Sequence, residues 1–346
     1  MTDIPYSERC VKLKSGHALI WPFRNVARSN GPWELHLDNN ALIDSSWFKH
    51  LPQNMFDQVT LSPLSSLTEQ WLSNREFRNC PDARIDSFLA AFGKFGINFG
   101  KDFSNRVASQ LAKNDDASRA QAMLTYLYVV LLYRIVFSEN GDAKPAYLLA
   151  DLKKKTVPMF AGCIMLCCVA KYLKTNQNLK MSGDSGLPAI SYLRSFLDLH
   201  TGSKNENEIN ENYLRNRALD LSIWLFIPML VQHNYHQLGE QVVVTQDKVL
   251  VNLLFRCLPF VRDESGKMVS SFDERCFEKK HADEIVKLIK DTVWSFQVPS
   301  SKDEQFKRLE NLRDHVIEGA DAKLAATVHG VWKAWIAPGF SKEFIL

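Results

Sequence analysis

Four acidic side chains carry the chemistry that this sequence can do. Asp38 follows Trp33-Glu34-Leu35-His36-Leu37, an alternating run that reads as a short strand, and Asn40 stands two residues further on. Glu69 lies in a stretch where Leu64, Leu67, Trp71 and Leu72 recur at helical spacing behind Pro63. Asp220 shares a helix face with Trp224, Ile227 and Val231. Asp247 comes just after Gln241-Val242-Val243-Val244-Thr245, the clearest strand in the chain, β-branched through its centre. The gaps between the four are 31, 151 and 27 residues, so no local motif joins them. A sheet can join them, because open α/β sheets place ligand groups beyond the carboxyl ends of their strands. Clustered carboxylates suit a hard divalent cation, which takes oxygen ligands, neutralises charge on a phosphate and acidifies a bound water. Those are the requirements of phosphodiester hydrolysis.

Each acid also has an ordinary structural reading. Asp38 can end its strand in an Asx-turn, with Asn40 capping the next helix. Ser66 and Glu69 have the Ser-x-x-Glu spacing of a capping box. Asp220 can cap a helix beginning at Leu221, and Asp247 one beginning at Lys248. An uncompensated carboxylate on an apolar helix face costs several kcal/mol, which sets Asp220 apart from the others. The functional signal is the joint occurrence of the four, in order, each on a suitable element.

The elements that must position them read as follows. Residues 1–32 are broken by Pro5, Pro22, Gly31 and Pro32, and Lys14-Ser15-Gly16-His17 reads as a turn between two short strands packing on the main sheet. Residues 33–77 hold the Asp38 strand, a helix over 41–51, a strand over 58–62 and the Glu69 helix. Residues 78–212 read as an all-helical insertion, with helices near 82–95, 102–113, 117–138, 144–155, 157–175 and 188–200, then a polar loop over 201–208. Residues 213–262 carry a helix with Asp220 that runs on past Pro228, the Asp247 strand, a short helix over 248–257 and a last strand over 258–262. Residues 263–346 form a helical C-terminal extension, in which Glu304, Lys307, Glu310 and Arg313 make a charged face.

This order of pieces resembles the PIN-domain nucleases: a strand ending in Asp-x-Asn (Asp38, Asn40), a Glu on the helix after the next strand (Glu69), an Asp near a helix start (Asp220), and Thr-x-Asp after a β-branched strand (Thr245, Asp247). The likeness covers residues 33–77 and 213–262, about a third of the chain. It implies an α/β fold, a PIN-like three-layer domain with a parallel sheet, here split by the helical insertion. It also implies a metal-dependent endonuclease holding Mg²⁺ or Mn²⁺ on Asp38, Glu69, Asp220 and Asp247, and cutting RNA in preference to DNA. Asn40 and Thr245 would orient the acids. Many relatives carry a further acid after Thr-x-Asp; here Lys248, Val249 and Leu250 follow Asp247, which leaves four acids for one metal ion. The rival within the same likeness is a catalytically inactive PIN-like scaffold that binds a protein or nucleic acid, with a partner on the helical insertion.

Other constellations carry less. Gly96 to Asp102 looks like a phosphate loop, but the glycine spacing is one short, Asp follows the lysine and no strand precedes it. A haloacid-dehalogenase-type phosphatase would need an Asp where Asn40 stands. His233 and His236 fit a helix C-terminus, and Asp86 the surface. Lys153, Lys154 and Lys155 are the best basic cluster; they compensate a helix end or touch a nucleic-acid backbone.

The net charge of +3 is too small to mark a nucleic-acid partner by global field. Seven cysteines without a CxxC pair fit reduced thiols and a cytoplasmic setting, with Cys163, Cys167 and Cys168 packed on a helix. The first ten residues lack the apolar core of a signal peptide. The apolar runs 123–133 and 158–170 are 11 and 13 residues long, short of the roughly 20 that span a bilayer, so no membrane segment is expected.

Overall fold

The computed structural model describes residues 3–138, 144–183, 186–198, 211–232, 237–264, 266–293 and 299–336. The chain is mixed α/β and divides into two compact units, one of residues 1–115 with 220–271 and the other of 116–219 with 272–346.

The first unit is built on a five-stranded sheet in the order β1 (Cys10–Lys12), β2 (Ala18–Ile20), β5 (Glu240–Thr245), β3 (Trp33–Leu37), β4 (Val59–Ser62). β3 pairs in parallel with β4 on one side and β5 on the other, whereas β1 and β2 run antiparallel. The expected parallel sheet is therefore corrected to a mixed one, because residues 10–20 form a hairpin that pairs onto β5. Its turn falls at Lys14–His17 as the sequence indicated, with Gly16 at φ 88° and the Leu13 N–H donating to His17 O at 2.8 Å. The last strand, read as 258–262, is also corrected. Phe260–Arg262 (β6) pairs with Met268–Ser270 (β7) in a separate antiparallel pair.

β3 is buried at all five positions, which is the signature of a central strand covered on both faces. Trp33, Leu35 and Leu37 line one face and Glu34 and His36 the other, so the alternation read in the sequence separates an apolar face from a buried polar one. The β3–β5 register starts at Trp33↔Glu240. There the Glu240 N–H donates to Pro32 O at 2.8 Å. A Cβ on Gly239 would come within 2.6 Å of that oxygen.

The helix expected over 41–51 is shorter. An α-helix covers Asn39–Ile43 and a 3₁₀ helix Ser45–His50, and between them the Asp44 side chain accepts from the Ser46 N–H. Trp47 pins the first piece by donating from Nε1 to Ala41 O at 2.8 Å, within an aromatic cluster with Phe48 and Phe92. Helices Leu64–Ser73, Pro81–Gly93, Phe103–Lys113 and Ser222–Gln232 belong to this unit.

The second unit is helical: Ala161–Thr175, Ala189–Leu197, Lys279–Thr292, Lys302–Ile317 and Ala322–Ile336 stand close to where periodicity placed them. Buried Arg134 donates to the carbonyls of Val316 and Glu318 at 2.7 and 3.0 Å, satisfying the end of one helix. Its helix, Asp115–Phe137, has 23 residues, longer than the apolar run within it. It is apolar enough to cross a membrane by composition, but 83% of its apolar window is buried inside the protein. The seven cysteines are free, and burial pushes the thiols of Cys163, Cys167 and Cys168 up, which makes them inert packing groups. The polar loop 201–208 and His233 and His236 lie outside the described residues.

Gly239→Ala should cost about 1–3 kcal/mol in urea unfolding, since rigid β3 backbone faces the new methyl. Gly93→Ala, where nothing lies within 4 Å, serves as the control and should change stability far less. Equal effects at the two positions would contradict the close β3–β5 approach.

Candidate functional site

β4 lies on one side of β3 and β5 on the other, so the chain reverses direction across the sheet between β3 and β5. The crevice at such a switch point, beyond the carboxyl ends of the strands, is where open α/β sheets bind ligands. Asp38 leaves β3 at this place, its N–H still donating to Val244 O at 3.0 Å. Its carboxylate caps the Asn39–Ile43 helix through Oδ1, accepting from the Asn39 N–H at 2.6 Å. Thr245 Oγ1 donates to the other oxygen at 2.6 Å. The same hydroxyl accepts from the Asp247 N–H at 3.0 Å, so the ends of β3 and β5 are laced through one threonine.

Asp247 caps the turn that follows, its Oδ1 accepting from Val249 N at 2.7 Å and Leu250 N at 3.4 Å. The ordinary capping reading of Asp247 is thus present in the structure, whereas the cap expected of Asn40 is corrected to Asp38, with Asn40 inside the helix; these bonds occupy some of the carboxylate oxygens. The helical run behind Asp247 contains a π-helical stretch, Leu250–Leu254.

The capping-box reading of Glu69 is overturned. The residue preceding its helix is Pro63, with no side-chain cap, and Ser66 sits inside the helix, where its hydroxyl donates to Leu37 O. Glu69 is instead a buried carboxylate on a helix anchored to the end of β3. Asp220 also differs from expectation. It is the last residue of helix Glu211–Asp220, and Leu221 separates it from helix Ser222–Gln232. Trp224 and Ile227 are buried as their face requires, but Asp220 itself is half-buried.

Electrostatics link the four acids. Burial is the main force raising Glu69 well above the usual carboxylate range; Asp220 and then Asp38 add to it, and a hydrogen bond from Asn39 opposes it. Burial likewise pushes Asp38 up to about 6, with a further push from Asp247 and opposition from Thr245, Asn39 and Asn40. Each of the four therefore feels at least one of the others, despite gaps of up to 151 residues. The donor set is carboxylate oxygen throughout, which fits a hard divalent cation. Among the described residues, however, no group of three or more histidine, cysteine, aspartate or glutamate side chains is already set to hold a metal ion.

Thr245 hydrogen-bonds Asp38 as the sequence placed it, and the Asn40 side chain helps to lower the Asp38 carboxyl. Asn39 and Gln70 went unnoticed. The amide of Gln70, beside Glu69 in the chain, donates from Nε2 to Asn39 Oδ1 at 2.8 Å. Adjacency of Asn39 to Asp38 was the only signal, and Asn40 shared it. His36, two residues before Asp38, is fully buried, and burial pushes its ring down to about 3, so it is neutral at pH 7.

Other sequence candidates lie on other elements. Lys153 and Lys154 are in a 3₁₀ turn that follows helix Lys144–Asp151, and Lys155 ends it. Lys154 pairs with Asp151 at 2.7 Å and Lys155 with Glu318 at 3.5 Å. Asp86 is exposed and accepts from Ser104 Oγ at 2.5 Å. The segment Gly96–Asp102 joins two helices, with no strand before it. Comparison with protein-family models, with curated proteins and with solved structures finds no match to this chain.

The raised Asp38 has a consequence for stability. Its folded value lies above its unfolded one, so the folded state binds more protons between about pH 4 and 6. Stability is then highest at the acid end of that window and falls by up to about 3 kcal/mol as pH rises through it. Glu69 acts in the same direction. Asp38→Asn should flatten the fall, measured by urea unfolding from pH 4 to 7; an undiminished slope in the variant would show that Asp38 is not its source.

Proposed function

We propose that the chain is a metal-dependent endonuclease of the PIN-like kind, cutting RNA in preference to DNA, with Asp38, Glu69, Asp220 and Asp247 around one Mg²⁺ or Mn²⁺. The observation that carries this reading is that Thr245 joins Asp38 at the end of β3 to Asp247 just beyond β5, with buried Glu69 on the helix that Ser66 ties to Leu37 O. A fold has no structural need to gather like charges at one buried place, and perturbed carboxylates in a crevice are a recurrent mark of function.

A bound divalent cation supplies charge for the scissile phosphate and acidifies a water. The chain's own residues do the rest. Thr245 and the Asn39 N–H fix the Asp38 carboxylate, leaving its remaining lone pairs for the ion, and Asn40 would assist them. Glu69, whose hold on a proton burial has tightened, would help to hold the ion once that proton has left. Asp220, half-buried, and Asp247, bound through one oxygen to its cap, complete the acidic wall. Asp38 and Glu69 must release protons as the ion enters, so metal affinity rises with pH. Lys153, Lys154 and Lys155 would contact nucleic-acid phosphates only after giving up the carboxylates that hold two of them. A cytoplasmic setting is part of this reading, since seven cysteines without a CxxC pair suit a reducing compartment.

The second reading, an inactive PIN-like scaffold whose helical part binds a partner, is favoured by the capping bonds already made by Asp38 and Asp247. Cleavage of labelled single-stranded RNA and DNA separates the two. The nuclease should lose activity in EDTA and regain it with Mn²⁺, and Asp38→Asn should lower the rate by about a hundredfold, equivalent to roughly 2.7 kcal/mol of barrier. Chelator-resistant cleavage, or an Asp38→Asn variant as active as the wild type, would remove the proposal.

A further inference from the structure

The helical run behind Asp247 is irregular at two carbonyls, and two side chains from the start of the chain meet them. In an α-helix the Phe255 N–H would donate to Val251 O, four residues back. Here it donates to Leu250 O, five back, at the end of the π-helical stretch Leu250–Leu254. Val251 O accepts from the Tyr6 hydroxyl, 245 residues away in the chain. The second carbonyl is Phe255 O. Its α-helical donor would be residue 259, which is Pro259 and has no N–H. Arg9 supplies a donor there, with Nη2 at 3.3 Å.

Tyr6 and Arg9 are the first and last residues of one short helix, so a single turn presents both donors. Arg9 is fully buried, and its guanidinium also donates to Ile4 O at 3.3 Å and Trp21 O at 3.0 Å, which fixes its reach to Phe255.

From Val251 to Asp247 the line is direct. The Val251 N–H donates to Asp247 O at 2.9 Å, while its carbonyl takes the Tyr6 hydroxyl. Leu250 repeats the pattern: its N–H lies 3.4 Å from Asp247 Oδ1, and its carbonyl takes the π-helical bond from Phe255. Val249 N–H holds the same carboxylate oxygen at 2.7 Å. Each link is a hydrogen bond between named atoms. Single π-turns inside helices recur at functional sites, and this one begins three residues after an acid of the crevice.

We propose that Tyr6 and Arg9 are positioning residues for Asp247. By taking Val251 O and Phe255 O they hold the helical run in the register from which the N–H groups of Val249, Leu250 and Val251 grip that aspartate. The bearing of this clamp on metal binding rests on the reading of the crevice given above; the clamp itself does not.

Tyr6→Phe removes only the hydroxyl and tests both. In backbone-assigned ¹⁵N-labelled protein the Val249 and Leu250 amide signals should move in Asp247→Asn, as reporters of that carboxylate, and move again in Tyr6→Phe. Tyr147→Phe, at an exposed tyrosine, should leave both in place. A Tyr6→Phe protein that is less stable to urea but whose two signals stay put has lost a structural bond only, which overturns the positioning. Calorimetry with Mn²⁺ alone reads the consequence at the ion. Tyr6→Phe should weaken binding about tenfold, as loss of support behind a ligand does. Unchanged affinity overturns the role in metal binding. Wild-type protein that binds no Mn²⁺ refutes the metal reading of the crevice, and the two amide signals still decide whether Tyr6 positions Asp247.

Discussion

Burying negative charge beside negative charge is the constraint around which the first unit is arranged. Asp38 and Glu69 have lost most of their water and repel each other. A buried carboxylate survives by collecting donors, by taking a proton or by binding a cation. The structure uses the first device at Asp38, where a backbone N–H and a threonine hydroxyl converge. The rise of both carboxyls shows that donors alone do not balance the loss of solvent. The second device covers the remainder as the structure stands, and the third is what the proposed function adds.

The geometry of that compromise depends on backbone more than on side chains. The acids meet because β3 and β5 pair in parallel from Trp33↔Glu240 upward, and that register is set where Gly239 lets β5 approach Pro32. A shift of one residue would turn Asp38 and Thr245 to opposite faces and undo the Thr245–Asp38 bond. Glu69 is tied to the same strand through the Ser66 hydroxyl and the end of Leu37. Strand pairing, helix docking and acid placement are thus one structural fact seen at three scales.

Much of this was legible in the sequence, for identifiable reasons. Valine-rich β5 and the alternation of β3 follow from local side-chain preference, and so do the helices of the second unit. Asp38, Asp220 and Asp247 were singled out because each sits next to an element boundary, whereas Glu69, inside helix Leu64–Ser73, was singled out only by its place in the order of pieces. The sense of the outer strands was not legible: nothing local in Cys10–Lys12 or Ala18–Ile20 says which way they lie on β5. The break at Asp44 was hidden by an apolar pattern that suits a longer helix. Ser66 and Glu69 matched a capping box by spacing, yet the chain began its helix at Leu64, turning an apparent cap into an inter-element bond. Asn39 and Gln70 are 31 residues apart and meet only in the folded state, beyond the reach of any spacing rule.

The central claim is that these carboxylates share one divalent ion. A crystal of the full chain grown with Mn²⁺ and measured at its anomalous edge tests it most directly. The account predicts a peak roughly 2.0–2.6 Å from oxygens of both Asp38 and Glu69, at the carboxyl ends of β3 and β5. A crevice without a peak, or a peak held by other residues, would contradict it.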